Sequence, residues 1–119
     1  MHELSIATGV METVIKSAKQ NGAKAVKSVD ICVGTSTAII EEAIVEAFRA
    51  LSSLAENMMC KNAQFNIESV PSTSICLDCG EKYTHGAGAA QCPKCMSYKT
   101  EILEGSDIYI KQIEVEMPD

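Results

Sequence analysis

Four of the six cysteines form two matched pairs, Cys76-Leu77-Asp78-Cys79 and Cys92-Pro93-Lys94-Cys95, with twelve residues between them. Both thiolates of a Cys-x-x-Cys turn can face one ion, and two such turns close a tetrahedron around Zn²⁺. Because four thiolates leave no position open for water or substrate, the spacing predicts a structural zinc rather than a catalytic one. A redox-active dithiol is the alternative, although such sites use a single pair beside a βαβ pattern.

Two cysteines and one histidine lie apart from this set. Cys32 and Cys60 have no ligand spacing around them, and we expect both to pack as small hydrophobic side chains. His85 falls between the two cysteine pairs. We interpret it as a solvated loop residue, with an auxiliary metal or pH-sensing role as the alternative, because imidazole titrates near neutral pH.

A second group of candidate ligands stands at the start of the chain, Met1-His2-Glu3. A large second residue should block removal of Met1, so we expect a free α-amine directly before a histidine. That amine, the deprotonated backbone nitrogens of His2 and Glu3, and the His2 imidazole can form fused rings around one ion. Four nitrogens in a plane suit Ni(II) or Cu(II) and not tetrahedral Zn(II). The signal is weak by itself, since Glu3 also fits an acid facing a helix dipole.

Composition and charge exclude several functions. A chain of 119 residues allows one compact domain with a small appendage. The formal charge of -6, and three lysines against four acidic residues between Cys76 and Glu104, argue against nucleic acid. Because we find no signal peptide and no apolar run near the about 18 residues that span a bilayer, we expect a cytoplasmic protein without a membrane partner. No catalytic constellation is recognisable, so we expect no enzyme.

Apolar periodicity predicts the elements that position these residues. Helices are expected from Ala7 to Ala18 and from a cap at Thr37 to Leu54, and strands at about 25–34, 63–67 and 108–117. Within the last strand the apolar alternation changes phase at Lys111-Gln112, which predicts a bulge or a change of sheet. The order is therefore helix, strand, helix, strand, cysteine module, strand.

The opening Met1-His2-Glu3-Leu4-Ser5-Ile6, the two cysteine pairs and the closing Ile113-Glu114-Val115-Glu116 together resemble the HypA/HybF family of hydrogenase nickel-insertion proteins. The similarity covers essentially the whole chain. It implies an α+β fold, with a small three-stranded mixed sheet, two helices and an inserted zinc-ribbon-like module. The domains expected are a nickel-binding domain, residues 1–71 plus 105–119, and a zinc-binding module, residues 72–104.

The resemblance also implies a function. Family members are nickel metallochaperones that hold Ni(II) at the N-terminus, with the His2 imidazole as main side-chain ligand and Met1 and Glu3 assisting. A structural Zn(II) is held by the four paired cysteines, Cys76, Cys79, Cys92 and Cys95. The partners implied are the GTPase HypB and the large subunit of [NiFe]-hydrogenase, and the oligomeric state stays open between monomer and weak dimer.

Two departures from the family pattern and one competing function accompany this interpretation. Met96 follows the second cysteine pair where glycine is common, and Gly105-Ser106-Asp107-Ile108 replaces the usual pattern of glycine, a basic or polar residue, glutamate and leucine. The first could alter the turn at Cys95. The alternative function is a zinc-ribbon adaptor that binds partners without a transferable metal.

Overall fold

The computed structural model describes residues 2–86 and 91–119, with only the backbone described at His2. The α-helices among these residues are α1 (His2–Gln20) and α2 (Glu41–Ser52). The strands are β1 (Ala25–Gly34), β2 (Gln64–Val70), β3 (Ser72–Cys76), β4 (Lys82–His85), β5 (Thr100–Glu104) and β6 (Ile108–Glu116). Short 3₁₀ segments span Thr35–Thr37 and Ala55–Cys60. The expected α+β class is confirmed.

The strands form two three-stranded sheets, with the orders β2-β1-β6 and β4-β3-β5. The first sheet is mixed. Asn66 of β2 donates to Asp30 of β1 at 2.8 Å, and Cys32 donates to Glu68 at 3.4 Å, so residue numbers rise together along these strands. They run in opposite senses between β1 and β6, where Lys24 and Lys27 face Glu116 and Glu114. The second sheet is antiparallel throughout.

The described chain divides into two compact units. Unit one comprises residues 1–31, 39–67 and 110–119, and unit two comprises residues 32–38 and 68–109. Each strand of the first sheet has residues in both units. The second sheet lies wholly in unit two, which also contains the four paired cysteines.

The apolar core belongs to unit one. Ala7, Met11, Val14 and Ala18 are buried at helical spacing on α1, as its sequence period predicts. They share the core with α2 and β1, whose buried members include Ile44, Phe48, Val29 and Ile31. Phe48 stacks on Phe65 with ring centroids 4.6 Å apart. After α1, Gly22 takes a φ of +71° and its N–H bonds the Lys19 carbonyl, which ends the helix as glycine commonly does.

Unit two has a different interior. Its buried side chains among the described residues are small or sulfur-containing: Cys32, Val33, Ser72, Ser74, Cys76 and Cys92. Such a set removes little apolar surface from water, so burial contributes little to the stability of this unit.

Within the described residues, no helix is long and apolar enough to cross a membrane.

One detail of the expected elements is wrong, and one of two alternatives for another is excluded. Thr37 is not the cap of α2, because its hydroxyl donates to the Gly34 carbonyl at 2.8 Å inside the 3₁₀ turn, and α2 begins only after Ile40. β6 does not change sheet. Its burial does change phase where expected, since Lys111 and Gln112 are both exposed, and a bulge there stays a prediction.

Candidate metal centre

The two cysteine pairs sit on matching backbone turns. In the first turn, Gly80 N–H donates to the Cys76 carbonyl at 2.9 Å, and Cys76 N–H to the Glu81 carbonyl at 2.9 Å. In the second turn, Met96 N–H donates to the Cys92 carbonyl at 2.9 Å, and Cys92 N–H to the Ser97 carbonyl at 3.0 Å. The same hydrogen bonds therefore shape both turns.

Positive backbone dihedrals close both turns. Gly80 has a φ of +81° and Met96 a φ of +67°. Met96 thus takes the left-handed conformation of its glycine counterpart, so the departure from the family pattern leaves the turn after Cys95 intact. The conformation costs energy at Met96, because a Cβ crowds the neighbouring carbonyl in this region.

The turns bring all four sulfur atoms together. They lie within 4.8 Å of one another, with Cys76 Sγ 3.5 Å from Cys95 Sγ and Cys79 Sγ 3.6 Å from Cys92 Sγ. A tetrahedral Zn²⁺ with bonds of about 2.3 Å separates its sulfurs by about 3.8 Å. Both of these contacts run between the two pairs, which fits a shared ion better than a dithiol within one pair.

Backbone N–H groups favour thiolate at the buried position of each pair. Cys79 N–H donates to Cys76 Sγ at 3.4 Å, and this bond is the main cause that lowers the pKa of Cys76 to about 7. Burial opposes ionisation at Cys92, but bonds from the N–H groups of Cys95 and Lys94 outweigh it and lower the Cys92 pKa. Such N–H···S bonds stabilise the negative sulfur that a metal requires.

The other member of each pair holds its proton more strongly. At Cys95 the Ser97 N–H lowers the pKa, but hydrogen bonds with the neighbouring thiols and burial raise it overall, to about 12. At Cys79 the Glu81 N–H likewise lowers the pKa, while burial and the bond to Cys92 raise it overall. The four neighbouring thiols therefore hydrogen-bond to one another through their protons, and a divalent cation can displace those protons. The donor set fits the structural zinc expected from the sequence.

Polar contacts tie the two turns to each other. Ser97 Oγ donates to the Asp78 carboxylate at 2.5 Å, and Leu77 N–H donates to the Lys99 carbonyl at 2.8 Å. The Gln91 amide donates to the Met96 carbonyl at 2.8 Å. The Ser97 and Leu77 bonds link the segment after the second pair to the first pair, and the Gln91 bond closes the second turn on itself, so the protein itself orients both turns.

The scaffold under the first turn is β3, the middle strand of its sheet. Gly105 has a φ of +92°, and a Cβ there would lie 2.6 Å from Ser72 Cα and 2.9 Å from the Pro71 carbonyl. Only glycine fits this approach. The buried Ser72 hydroxyl bonds those of Thr35 at 2.7 Å and Ser36 at 2.5 Å. No local sequence pattern indicates this hydroxyl cluster, because its partners lie more than thirty residues apart in the chain.

His85 is not a solvated loop residue. It ends β4, is half-buried, and its Nε2 lies 2.7 Å from the hydroxyl of the buried Ser74. Its Nδ1 lies 2.8 Å from the Gly86 carbonyl. Because a carbonyl only accepts, Nδ1 carries a proton and donates, and a neutral ring then accepts from Ser74 through Nε2. The imidazole thus satisfies a buried hydroxyl.

The remaining two thiols are buried, as expected. Burial raises the pKa of Cys60 to about 11, so this thiol stays protonated at neutral pH. Cys32 donates to the Glu68 carboxylate at 3.4 Å, and its hydrogen bond with Tyr109 is the first cause that raises the pKa of that phenol. Neither belongs to the four-sulfur cluster.

The N-terminal candidate ligands are only partly described. Met1 and the His2 side chain lie outside the described residues. Glu3 is half-buried in the first turn of α1, and its carboxylate accepts the Ile40 N–H at 3.3 Å. Ile40 directly precedes α2, so Glu3 links the beginnings of both helices within unit one. The structure leaves the N-terminal nickel site a prediction.

Comparison with known proteins assigns the chain to a family. A family model described as HypA, hydrogenase/urease nickel incorporation, metallochaperone, matches residues 1–115. Relatives named hydrogenase maturation factor HypA include one from Shewanella sp. strain MR-7, 32% identical with 100% of this chain and 98% of the relative covered. Another, from Dehalococcoides mccartyi, is 28% identical, with 98% of this chain and 95% of the relative covered.

Solved structures share the fold. The solution structure of the Ni metallochaperone HypA from Helicobacter pylori aligns with a TM-score of 0.72 at 24% identity, covering 98% of each chain. A second structure, titled solution structure of HypA protein, aligns with a TM-score of 0.71 at 25% identity, covering 97% of this chain and 96% of that one. The likeness therefore extends along nearly the whole length of each chain.

Proposed function

Because the chain belongs to the HypA family of hydrogenase and urease nickel-incorporation metallochaperones, we propose that it binds Ni(II) at its N-terminus and delivers it for the maturation of [NiFe]-hydrogenase. A member of this family is a maturation factor and not an enzyme. Nickel is thus the cargo. The proposal rests on the whole-length family match together with Met1-His2-Glu3 at the start of this sequence.

The backbone at the N-terminus supports this ligand set. α1 begins at His2, and the first four N–H groups of a helix have no partner within it. The amide nitrogens of His2 and Glu3 can therefore lose their protons to nickel without breaking a helical hydrogen bond. The positive end of the helix dipole also favours the resulting negative nitrogens. Where Met1 begins the mature chain, its α-amine and the His2 imidazole complete four nitrogen donors, a set that suits Ni(II).

Release follows from the same chemistry. The donors are few, and two of them bind only after amide deprotonation, so protonation or a competing ligand of a partner can free the ion. Glu3 assists from a fixed place, since its carboxylate is held by the Ile40 N–H. We assign the partners as a HypB-type GTPase and the hydrogenase large subunit. A cytoplasmic location stays a prediction.

The four cysteines form the second metal site of the proposal. Cys76, Cys79, Cys92 and Cys95 would hold a resident zinc, whose role is to cross-link two turns in a unit that buries few apolar side chains. On this basis we propose a nickel-binding domain of residues 1–71 plus 105–119 and a zinc-binding module of residues 72–104. The β3, β4 and β5 strands all fall within that module.

Metal analysis of untagged protein tests the nickel assignment. We expect one Ni(II) and one Zn(II) per chain, with an absorption spectrum typical of a nitrogen-rich, square-planar or related nickel site. His2→Ala should lose nickel and keep zinc. His85→Asn is the matched control, because it removes the only other histidine, and it should bind nickel as the wild type does.

A second arm separates the carrier from an adaptor. Adding two residues before Met1 should abolish nickel binding and hydrogenase maturation, because it removes the α-amine from its position beside His2. If the extended chain stays active, the zinc-ribbon adaptor is the better description. Full nickel affinity in His2→Ala would show that the N-terminal assignment is wrong.

A further inference from the structure

A cavity in unit one has no candidate metal ligand among the described residues that line it. It has a volume of about 560 Å³, and the described residues that line it all fall within 45–65, in unit one. α2 forms one wall, with Val45, Phe48 and Arg49, and the turn with Lys61 leads into the wall that begins β2. A volume of this size accommodates a side chain or a small ligand.

The charge of the cavity is opposite to that of the chain. Arg49 and Lys61 line it, and no carboxylate is among the described residues that line it, although the formal charge of the protein is -6. Arg49 is paired with Glu46 at 2.5 Å. Lys61 makes no ion pair among the described residues and is exposed, so its ammonium is available to an anionic group.

The floor of the cavity is apolar. Phe65 is half-exposed at its lining, and its ring stacks on the buried Phe48 at an interplanar angle of 5°. A stacked pair keeps the Phe65 ring fixed, so an apolar side chain entering the cavity would meet a preformed surface. The Phe65 ring beside the Lys61 ammonium suits a ligand that carries an apolar side chain next to a carboxylate.

The second wall offers backbone hydrogen bonds. Gln64 and Phe65 begin β2, which lies at the edge of its sheet, and the structure describes no strand on its outer side. The outward N–H and C=O groups of an edge strand can pair with an added strand. A small anion would use the lysine and leave these groups unused, whereas an extended peptide can use both.

We propose that the groove between α2 and the outer edge of β2 is a docking site for an extended acidic peptide of a partner protein. The peptide adds as a strand beside Gln64 and Phe65, places an apolar side chain on Phe65 and pairs a carboxylate with Lys61. None of the described residues that line the site is a candidate metal ligand, so the proposal does not rest on the nickel assignment.

Selection from a phage-displayed library of random twelve-residue peptides tests the proposal, with the full zinc-loaded chain as target. Enriched peptides are synthesised, labelled with fluorescein and titrated by fluorescence anisotropy. We expect them to combine acidic residues with a large apolar one, and to bind less tightly as salt concentration rises.

Two comparisons locate the site. Lys61→Glu should weaken binding about tenfold or more, as expected for the loss of a charge-assisted hydrogen bond, and Lys61→Gln should weaken it less. Lys82→Glu, the same charge change on β4, should leave it unchanged. Two further peptides carry N-methyl groups on the odd or on the even backbone nitrogens. Only one of these two sets of N–H groups faces β2, so only one of the two peptides should bind more weakly. Thermal melts confirm that the variants are folded.

The proposal fails if no peptide is enriched, or if the enriched peptides lack acidic residues. It also fails if Lys61→Glu and Lys82→Glu bind equally well, which would place the peptide elsewhere. Equal binding by the two N-methylated peptides would exclude strand addition. None of these results depends on nickel, so each can be obtained whether or not His2 binds the cargo.

Discussion

Replacing Met96 by glycine is expected to stabilise the zinc-loaded protein by about 0.5–1 kcal/mol. The left-handed backbone at φ +67° costs a non-glycine residue about 1–2 kcal/mol, which glycine avoids. Glycine also makes the unfolded chain more flexible, and this offsets about 0.4–1 kcal/mol of the gain in stability. Little packing is lost, because the Met96 side chain is 61% exposed. Since folding of the turn is coupled to metal binding, zinc affinity should rise about two- to fivefold.

The assay is competition for zinc with a coloured chelator, together with denaturant unfolding at a fixed free zinc concentration. Met96→Ala is the control, because it removes the side chain but keeps the Cβ and hence the strain. Its stability should stay within about 0.5 kcal/mol of the wild type. If Met96→Gly is no more stable than Met96→Ala, the left-handed backbone carries no cost at this turn and the reasoning is refuted.

Three further predictions concern the scaffold. Gly105→Ala should lower the free energy of unfolding by about 3 kcal/mol, since it combines strain with a clash against Ser72, whereas Gly22→Ala, with open space around it, should cost about 1 kcal/mol by denaturant titration. The raised pKa of Cys60 means that the folded state keeps a thiol proton that the unfolded chain loses above about pH 9. The contribution of this thiol to the free energy of unfolding is therefore complete below pH 9 and is lost as the pH rises towards 11. The loss should be about 1–2 kcal/mol after allowance for solvent screening, and absent in Cys60→Ala. Removing zinc with a chelator should abolish the hydrogen-exchange protection of β3, β4 and β5 while α1 and α2 keep theirs; equal loss in both would contradict the separate core of unit one.

Periodicity predicted the parts of the fold that burial decides. The buried stripe of α1 follows from one apolar face meeting a core, and it was found where the sequence indicates. The strand β1 was also found where the sequence indicates, but its alternation ends at Ile31, because Ile31, Cys32, Val33 and Gly34 are buried in succession. The cysteine spacing located the sulfur cluster for a similar reason, because ligand geometry is local to each turn. Thr37 shows the limit of local signals, since its hydroxyl bonds the Gly34 carbonyl instead of capping α2.

Features that depend on distant pairs were not predictable. Ser74 and His85 meet only because β3 pairs with β4, and Gly105 meets Ser72 only because β5 lies on the other side. Each of these residues looks like an ordinary loop or strand residue when its neighbours in sequence are considered alone. The groove at Lys61 likewise requires the packing of α2 against the beginning of β2. Register, which one sequence does not specify for short strands, decides all of these contacts.

On the proposed assignment, the poor interior of unit two gives a reason for two separate metal sites, one for resident zinc and one for nickel cargo. Among its described residues, unit two buries the side chains of three cysteines, two serines and one valine, a set that apolar burial alone cannot stabilise. The proposed zinc would therefore have to remain bound. Cargo has the opposite requirement. If nickel were carried by the four thiolates, each delivery would remove the cross-link that orders β3, β4 and β5. An amine and an imidazole take up protons near neutral pH, which favours release of a bound ion. A closed set of four thiolates binds structural zinc with a free energy of about 10–16 kcal/mol. On the proposed assignment, the nickel ligands can therefore release their ion while the zinc ligands keep theirs.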